Sequence, residues 1–116
     1  MGASDSTQDE VKRGDLRVRV SGDPDEAVLT LVGELDVSNV DRLSAAVTEV
    51  LATGVGRVVL DLAGLTFCDS RGLGTLIVLS RAAQLQQSFL VLRHPSPSFA
   101  RTVEITGVQA GLNITE

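Results

Sequence analysis

Three polar segments of the sequence carry side chains that could do chemistry. Asp36 and Ser38 lie in the first segment, Asp69 and Ser70 in the second, and His94 in the third. If the fold brought an Asp, a Ser and a His together, the histidine could activate the serine hydroxyl as the nucleophile of a hydrolase. If Ser70 began a helix, it could instead accept a regulatory phosphate, because the free N–H groups and positive dipole end there tolerate negative charge.

The residues around Ser70 argue against catalysis. A nucleophile elbow has the pattern Gly-x-Ser-x-Gly, because its strained turn needs a small residue on either side of the serine. The sequence Cys-Asp-Ser-Arg-Gly over residues 68–72 has the second glycine and lacks the first. His94, the only histidine, precedes a proline and is interpreted as an exposed loop residue. With no metal-ligand cluster and little chain left for a substrate pocket, the sequence predicts a non-enzymatic protein without metal or cofactor.

Gly72 and Gly74 invite comparison with phosphate-binding loops. They begin like the dinucleotide fingerprint, but Ile77 occupies its third glycine position, and no Gly-Lys-Ser/Thr follows any glycine loop. Each glycine in a helix costs roughly 0.5–1 kcal/mol relative to alanine, so we expect a benefit that offsets this cost. Either a close approach of the helix to the sheet or a docking surface would provide one.

Composition limits the class of partner and the compartment. Ten Lys and Arg against fifteen Asp and Glu give a net charge of −5 without any basic cluster, so neither nucleic acid nor an anionic membrane is an expected partner. The three aromatic residues, all Phe, are too few for a base-stacking surface. Cys68 is the only cysteine, which indicates a reducing compartment. Because the sequence has neither a membrane-spanning apolar run nor a secretory signal, we predict a cytoplasmic protein.

The elements that must position these side chains follow from the hydrophobic pattern. Alternating or continuous apolar runs predict four strands and leave one segment for a short fifth: 16–20, 27–32, 57–60 and 89–92, with 112–114 as the fifth. Apolar stripes predict three helices, over 38–54, 70–86 and 96–107. Ser38 is expected to cap the first helix, with Asp41 completing a capping box, and Ser96 with Pro97 to open the third.

The order of these elements predicts one α/β domain. Residues 1–14 are polar and patternless and are predicted to form a flexible arm, and residues 15–116 to form the domain. We expect a mixed sheet of four to five strands with an N-terminal β-hairpin and three main helices. The three strands that each precede a helix would run parallel, so their carboxyl ends would lie along one edge of the sheet. That edge would collect Asp36 and Ser38, residues 66–70 and residues 94–96.

Two motifs resemble those of a known family. Residues 68–74, Cys-Asp-Ser-Arg-Gly-Leu-Gly, follow the strand residues 58–62 and resemble the Asp-Ser-x-Gly-Leu-Gly signature of STAS domains, most of all the free-standing anti-sigma factor antagonists. Residues 33–36, Gly-Glu-Leu-Asp, resemble the second recurrent motif of that family. The resemblance covers residues 16–114 and implies a STAS-like fold for the domain.

The resemblance also implies a switch in partner binding. In such proteins an anti-sigma factor, which is also an ATP-dependent serine kinase, phosphorylates the serine after the aspartate. The unphosphorylated form binds that kinase and displaces a sigma factor, the phosphorylated form does not bind, and a serine phosphatase resets the switch. Carried over to this sequence, Ser70 is the phosphoacceptor and Asp69 helps to place its hydroxyl. The residues implied in partner binding are Asp36, Ser38, Asp69, Arg71 and Gly72.

Arg71 departs from the family pattern, in which the residue after the phosphoacceptor is usually small. Its guanidinium could pair with a phosphate on Ser70 or with an acidic surface of the partner. A second function also stays open for a chain that resembles this family. It could be a scaffold or transporter-associated STAS domain that binds its neighbours constitutively and is not phosphorylated.

Overall fold

The chain alternates strands and helices in the order that the sequence predicts. The computed structural model describes residues 15–107 and 111–115. Within them the elements are β1 (Leu16–Gly22), β2 (Glu26–Leu35), α1 (Val40–Leu51), β3 (Arg57–Cys68), α2 (Ser70–Leu85), β4 (Phe89–Arg93), α3 (Pro97–Thr106) and β5 (Ile114–Thr115). The arm predicted for residues 1–14 lies outside the described residues.

The strands of the described chain form one mixed sheet in the order β1-β2-β3-β4-β5. β1 and β2 pair antiparallel, which confirms the predicted hairpin. β2, β3, β4 and β5 pair parallel, which confirms that the strands before the helices run in the same direction. Each helix connects one parallel strand to its neighbour in the sheet, always in the same direction across the sheet. Because such connections are right-handed, α1, α2 and α3 lie on one face of the sheet.

That face carries an aliphatic core. Every second residue of β2 from Ala27 to Leu35 is buried, as expected for a strand with one covered face. The helices contribute buried side chains to the same layer: Leu43 and Val47 from α1, Leu73 and Leu76 from α2, and Phe99 and Val103 from α3. Phe99 is the buried phenylalanine, whereas Phe67 and Phe89 are exposed. The core of the described residues therefore rests mainly on Leu, Val and Ala.

β3 is longer than predicted, since it extends to Cys68 and not only to Leu60. Two irregularities in its pairing with β2 explain the difference, because the register slips by one residue after Asp61 and again after Leu65. Each bulge adds one residue to β3, so the next buried side chain comes three residues after the previous one and not two. The buried residues that face the helices are Val58, Leu60, Leu62, Leu65 and Cys68. Residues 66–68, predicted as part of a loop, are therefore the end of a strand.

The start of α1 corrects a second prediction. The helix begins at Val40, so Asn39 and not Ser38 is the residue that precedes it. The Ser38 hydroxyl donates to Asp36 Oδ1 over 2.5 Å. The backbone N–H of Ser38 donates to the same carboxylate oxygen, over 2.9 Å. Both groups are thus committed within the loop, and the predicted capping box with Asp41 does not form.

The other two helices begin as predicted. α2 begins at Ser70, and Asp69 caps it by accepting the N–H of Gly72. Ser96 caps α3 by accepting the N–H of Phe99 over 3.2 Å, and Pro97 occupies the first helical position. α3 ends at Thr106, and the next residue is Gly107, whose φ of +71° is the left-handed conformation that suits glycine.

Candidate functional site

Two neighbouring strand ends position the candidate site. β2 ends at Leu35 and β3 at Cys68, and these two residues are partners in the parallel pairing. The loop 36–39 follows β2, whereas Asp69 and then α2 follow β3. The N–H of Asp69 donates to the carbonyl of Leu35 over 3.2 Å, which joins the two strand ends directly. The structure thus brings together the first two polar segments that the sequence singled out.

The carboxylate of Asp69 connects both segments. One oxygen accepts the N–H of Gly72 over 2.8 Å, which is the capping bond of α2. The other accepts the N–H of Val37 over 3.3 Å, across the gap between the two loops. Asp69 therefore places Ser70 through the backbone: it fixes the first turn of the helix and holds the loop 36–39 beside it.

The loop 36–39 is ordered by side chains that are internal to it. The Asp36 carboxylate accepts from both the N–H and the hydroxyl of Ser38. Asn39, only 3% exposed, accepts the N–H of Asp36 over 3.0 Å and donates to the carbonyl of Glu34 over 2.8 Å. The result is that Val37, at the tip, points its side chain outward, where it is 62% exposed.

Asn39 is the structural residue of this site that sequence analysis missed. A signal was present, because Asn is as common as Ser in the position before a helix, and a turn of the type Asp-x-x-Asn is typical of side chains that bond to nearby backbone. The sequence analysis expects the Ser38 hydroxyl to cap α1. In the structure the buried side chain of Asn39 holds the entry to this helix in place, through its hydrogen bonds to Asp36 and Glu34.

Ser70 is the exposed first residue of α2. No described residue forms a hydrogen bond with its hydroxyl, whereas the hydroxyls of Ser38 and Ser98 both donate within the domain. A partner or an enzyme could therefore reach the Ser70 hydroxyl without first breaking a bond in the fold.

A groove between α1 and α2 opens beside Ser70. It has a volume of about 470 Å³ and is lined by Ser44 from α1 and by Ser70, Arg71, Gly74, Thr75 and Val78 from α2. We call it the α1–α2 groove. Val78 is 62% exposed, as is Val37 in the neighbouring loop. The surface around Ser70 thus combines a small hydroxyl, one cation and exposed apolar side chains, a mixture typical of protein docking surfaces.

The two glycines of the motif have different roles. A Cβ atom at Gly72 would lie 2.9 Å from Cys68 Sγ and 3.0 Å from Leu35 Cγ, so only glycine lets α2 approach the ends of β2 and β3 this closely. A Cβ atom at Gly74 would meet nothing within 4 Å. The predicted close approach to the sheet is therefore the reason for Gly72 and not for Gly74, which faces the groove.

Cys68 does not take part in the chemistry of the site. Burial, with a smaller contribution from the negative charge of Asp69, raises the pKa of its thiol to about 12. The thiol is therefore protonated at neutral pH, and a protonated thiol is a poor nucleophile.

The third polar segment does not join Ser70 in a triad. Nδ1 of His94 lies 3.4 Å from Asp61 Oδ1, so the side chain interacts with β3 and not with the serine. Across residues 15–107 and 111–115, no group of three His, Cys, Asp or Glu side chains could hold a metal ion. No helix of these residues is long and apolar enough to cross a membrane.

Comparison with known proteins identifies the family. A family model described as "Mlab, STAS domain" matches residues 18–115. The chain belongs to the STAS domain family. This STAS protein is 29% identical over 82 residues to the anti-sigma F factor antagonist of Lysinibacillus sphaericus, a match that covers 70% of each chain.

Solved structures share the fold of this STAS domain. An anti-sigma factor antagonist from Mycobacterium paratuberculosis matches with a TM-score of 0.76 at 23% identity, over 90% of this chain and 89% of that one. The Bacillus cell fate determinant SpoIIAA, in its phosphorylated form, matches with a TM-score of 0.65 at 22% identity, over 86% of this chain and 92% of that one. The fold predicted from the sequence is confirmed, and the family confirms the prediction of a non-enzymatic regulatory protein.

Proposed function

We propose that the protein is an anti-sigma factor antagonist that is switched by phosphorylation of Ser70. In this proposal the unphosphorylated form binds an anti-sigma factor with serine kinase activity and frees a sigma factor. The observation that carries the proposal is the setting of Ser70, an exposed serine at the start of α2 and beside the α1–α2 groove, whose hydroxyl bonds to no residue that the structure describes. The name of the Lysinibacillus sphaericus relative supports the choice of partner.

The free protein should tolerate a phosphate on Ser70. Within the described chain, the N–H of Asp69 is bonded to Leu35 and that of Gly72 to the Asp69 carboxylate, which leaves the N–H groups of Ser70 and Arg71 without an acceptor. These groups and the positive end of the helix dipole favour an anion at this position. The phosphorylated form of SpoIIAA supports the same expectation for this fold.

The complex should not tolerate the phosphate. It adds nearly two negative charges to a surface on which Val37 and Val78 are exposed. Binding would strip water from the charged group without supplying the hydrogen bonds that it had in water, which is costly. A useful switch needs a difference of roughly 3 kcal/mol, about a hundredfold in affinity.

Four of the residues implied in docking shape or hold the docking surface, whereas Arg71 is itself exposed on it. Asp36 and Ser38 shape the loop that presents Val37, and Asp69 holds that loop against α2. Gly72 sets the depth of α2 against the sheet. Arg71 lies on the exposed surface beside Ser70.

A serine phosphatase that removes the phosphate from Ser70 would complete the cycle.

Site mapping tests the proposal directly. The full chain is incubated with each anti-sigma factor kinase encoded by the source genome and with ATP, and the product is analysed by intact mass and peptide mapping. We expect one phosphate, on Ser70, with none on the Ser70→Ala variant. Ser98→Ala is the control, because Ser98 is also an exposed serine near the start of a helix but has no place in the docking surface, and it should be phosphorylated like the wild type.

Two results would contradict the proposal. A phosphate that maps to Ser38 or Ser98 would remove Ser70 from its role. A kinase that binds the phosphorylated and the unmodified protein equally well would favour the alternative, a scaffold that binds its neighbours constitutively.

A further inference from the structure

Two residues of α2 are poor choices for their positions in a helix, and both line the α1–α2 groove. Arg71 is the second residue of the helix, where the positive end of the dipole disfavours a cation. Gly74 is the fifth residue, where glycine is the least favourable residue after proline. Such local violations in an otherwise regular fold are expected where a residue serves binding and not folding.

Neither residue has a compensating contact within the described chain. No carboxylate of these residues lies within ion-pair distance of the Arg71 guanidinium. A Cβ atom at position 74 would be in open space, so packing does not require the glycine. Nothing in residues 15–107 and 111–115 offsets either choice, which points to a benefit gained when a partner binds.

The chemistry of the groove indicates what that is. Among the described residues that line it, Arg71 is the only charged one, whereas Ser44, Ser70 and Thr75 are neutral. The groove is therefore complementary to a segment that carries a negative charge. Beside the cation, Gly74 leaves room for a backbone to approach closely.

We propose that Arg71 determines which anti-sigma factor this protein binds, and that Gly74 leaves room for the backbone of that partner. The partner would place a carboxylate against the Arg71 guanidinium, with its adjacent backbone packed over Gly74. An arginine forms two parallel hydrogen bonds with a carboxylate, so it selects an acidic partner by geometry as well as by charge. This inference rests on the proposed function and adds to it the chemistry of the partner.

The same placement gives the phosphate a second action. Ser70 and Arg71 line the same groove, so the guanidinium at the end of the long Arg71 side chain would be within reach of a phosphate on Ser70, which would compete for it within the chain. The phosphate carries up to two negative charges and the partner carboxylate one, so the intramolecular contact should be preferred. Phosphorylation would then withdraw the recognition residue from the partner and not only obstruct the surface.

A measurement on the free protein tests the contact between phosphate and guanidinium. Phosphoserine is installed at position 70 by genetic encoding, and the second ionisation of the phosphate is followed by ³¹P NMR. Arg71→Ala should raise this phosphate pKa by roughly half a unit, as expected for the loss of an exposed ion pair. Arg81→Ala is the matched control, because Arg81 is exposed on the same helix about 15 Å further along. Equal phosphate pKa values in the two variants would overturn the competition.

Calorimetric titration of the kinase identified by site mapping tests the choice of partner. Arg71→Ala should bind at least about tenfold more weakly than the wild type and show a smaller dependence of affinity on salt, with Arg71→Lys between them and Arg81→Ala unchanged. Reversing the facing carboxylate of the kinase to a lysine should restore binding to Arg71→Glu. Circular dichroism confirms that each variant is folded.

The result that contradicts this inference differs from the one that contradicts the proposed function. If Arg71→Ala binds the kinase as tightly as the wild type, and Ser70 phosphorylation still abolishes binding, the switch stands and the role of Arg71 is wrong. If the wild type binds no anti-sigma factor kinase, the proposed function fails and takes the inference with it.

Discussion

At the scale of single residues, the carboxylate of Asp69 holds the candidate site together by bonding to Gly72 and to Val37. Asp69→Ala should lower the free energy of unfolding by about 1 kcal/mol, the usual cost of losing a helix cap. Asp69→Asn should lose much less, because an amide oxygen can also accept the N–H of Gly72. Urea denaturation of both variants measures the difference, and equal stability of the two would show that the cap contributes nothing.

The loop 36–39 allows a sharper comparison between adjacent positions. The buried side chain of Asn39 accepts the N–H of Asp36 in the loop and donates to the carbonyl of Glu34 at the end of β2. Its loss in Asn39→Ala should cost about 2 kcal/mol, because two partly buried hydrogen bonds would be lost. Ser38→Ala should cost about 0.5 kcal/mol or less, since its hydroxyl is exposed and bonds only to Asp36. Chemical denaturation that ranked the two variants the other way round would restore Ser38 as the residue that starts α1.

The buried thiol of Cys68 should make the stability of the fold depend on pH. Burial and the charge of Asp69 raise the pKa of its thiol from 9.0 to about 12. Because the pKa of the folded state lies above that of the unfolded state, the contribution of the thiol to stability is complete below pH 9.0 and is lost as the pH rises towards 12. Cys68→Ala should therefore lose less stability than the wild type between these pH values. Urea midpoints at both ends of this window measure the loss, and parallel losses in the two proteins would be the contrary result.

At the scale of elements, α2 provides a matched pair of substitutions two residues apart. Gly72→Ala should destabilise the fold by about 1–3 kcal/mol, because its methyl group would overlap Cys68 and Leu35. Gly74→Ala should instead stabilise it by about 0.5–1 kcal/mol, because the methyl group meets nothing and alanine favours the helix. Thermal unfolding of both variants tests the opposite signs, and destabilisation by Gly74→Ala would mean that the groove side of α2 is packed.

The elements also show where sequence-based prediction stops. The period of two in β2 and the Ser-Pro start of α3 are local signals, and the structure confirms both. The end of β3 could not be predicted in the same way, because its two bulges arise from the register with β2 and not from its own residues. Once the buried side chains are three apart, as from Leu62 to Leu65 to Cys68, the strand no longer shows the period by which strands are recognised.

In the candidate site, too, some features follow from the sequence and others arise only in the fold. Parallel strands predict that the segments after β2 and β3 share an edge, and they do. The hydrogen bond from the N–H of Val37 to the Asp69 carboxylate joins residues that are 32 apart in the sequence, and no local pattern indicates it. The prediction of Ser38 as the residue that starts α1 was wrong, because Asn39 is an equally good capping residue by type and its burial depends on the fold.

At the scale of the whole molecule, the residues that stabilise the fold and the residues that face a partner lie in different parts of the domain. The helices cover one face of a sheet whose strands follow sequence order, and the core between them is aliphatic. The loops at the carboxyl ends of β2 and β3 are thereby held on a rigid base, with Ser70 and the α1–α2 groove exposed beside them. A phosphate added to such a surface can change binding without changing the core.

The affinity of the phosphorylated protein for its kinase is the measurement that tests this account most directly. The identified anti-sigma factor kinase is titrated with the unmodified protein, with the protein that carries phosphoserine at position 70, and with Ser70→Ala, and circular dichroism is recorded for each. We predict unchanged spectra, similar affinities for the unmodified protein and Ser70→Ala, and a loss of about a hundredfold or more for the phosphorylated form. Equal affinities of the phosphorylated and unmodified forms, or a loss of affinity that accompanies unfolding, would contradict the switch.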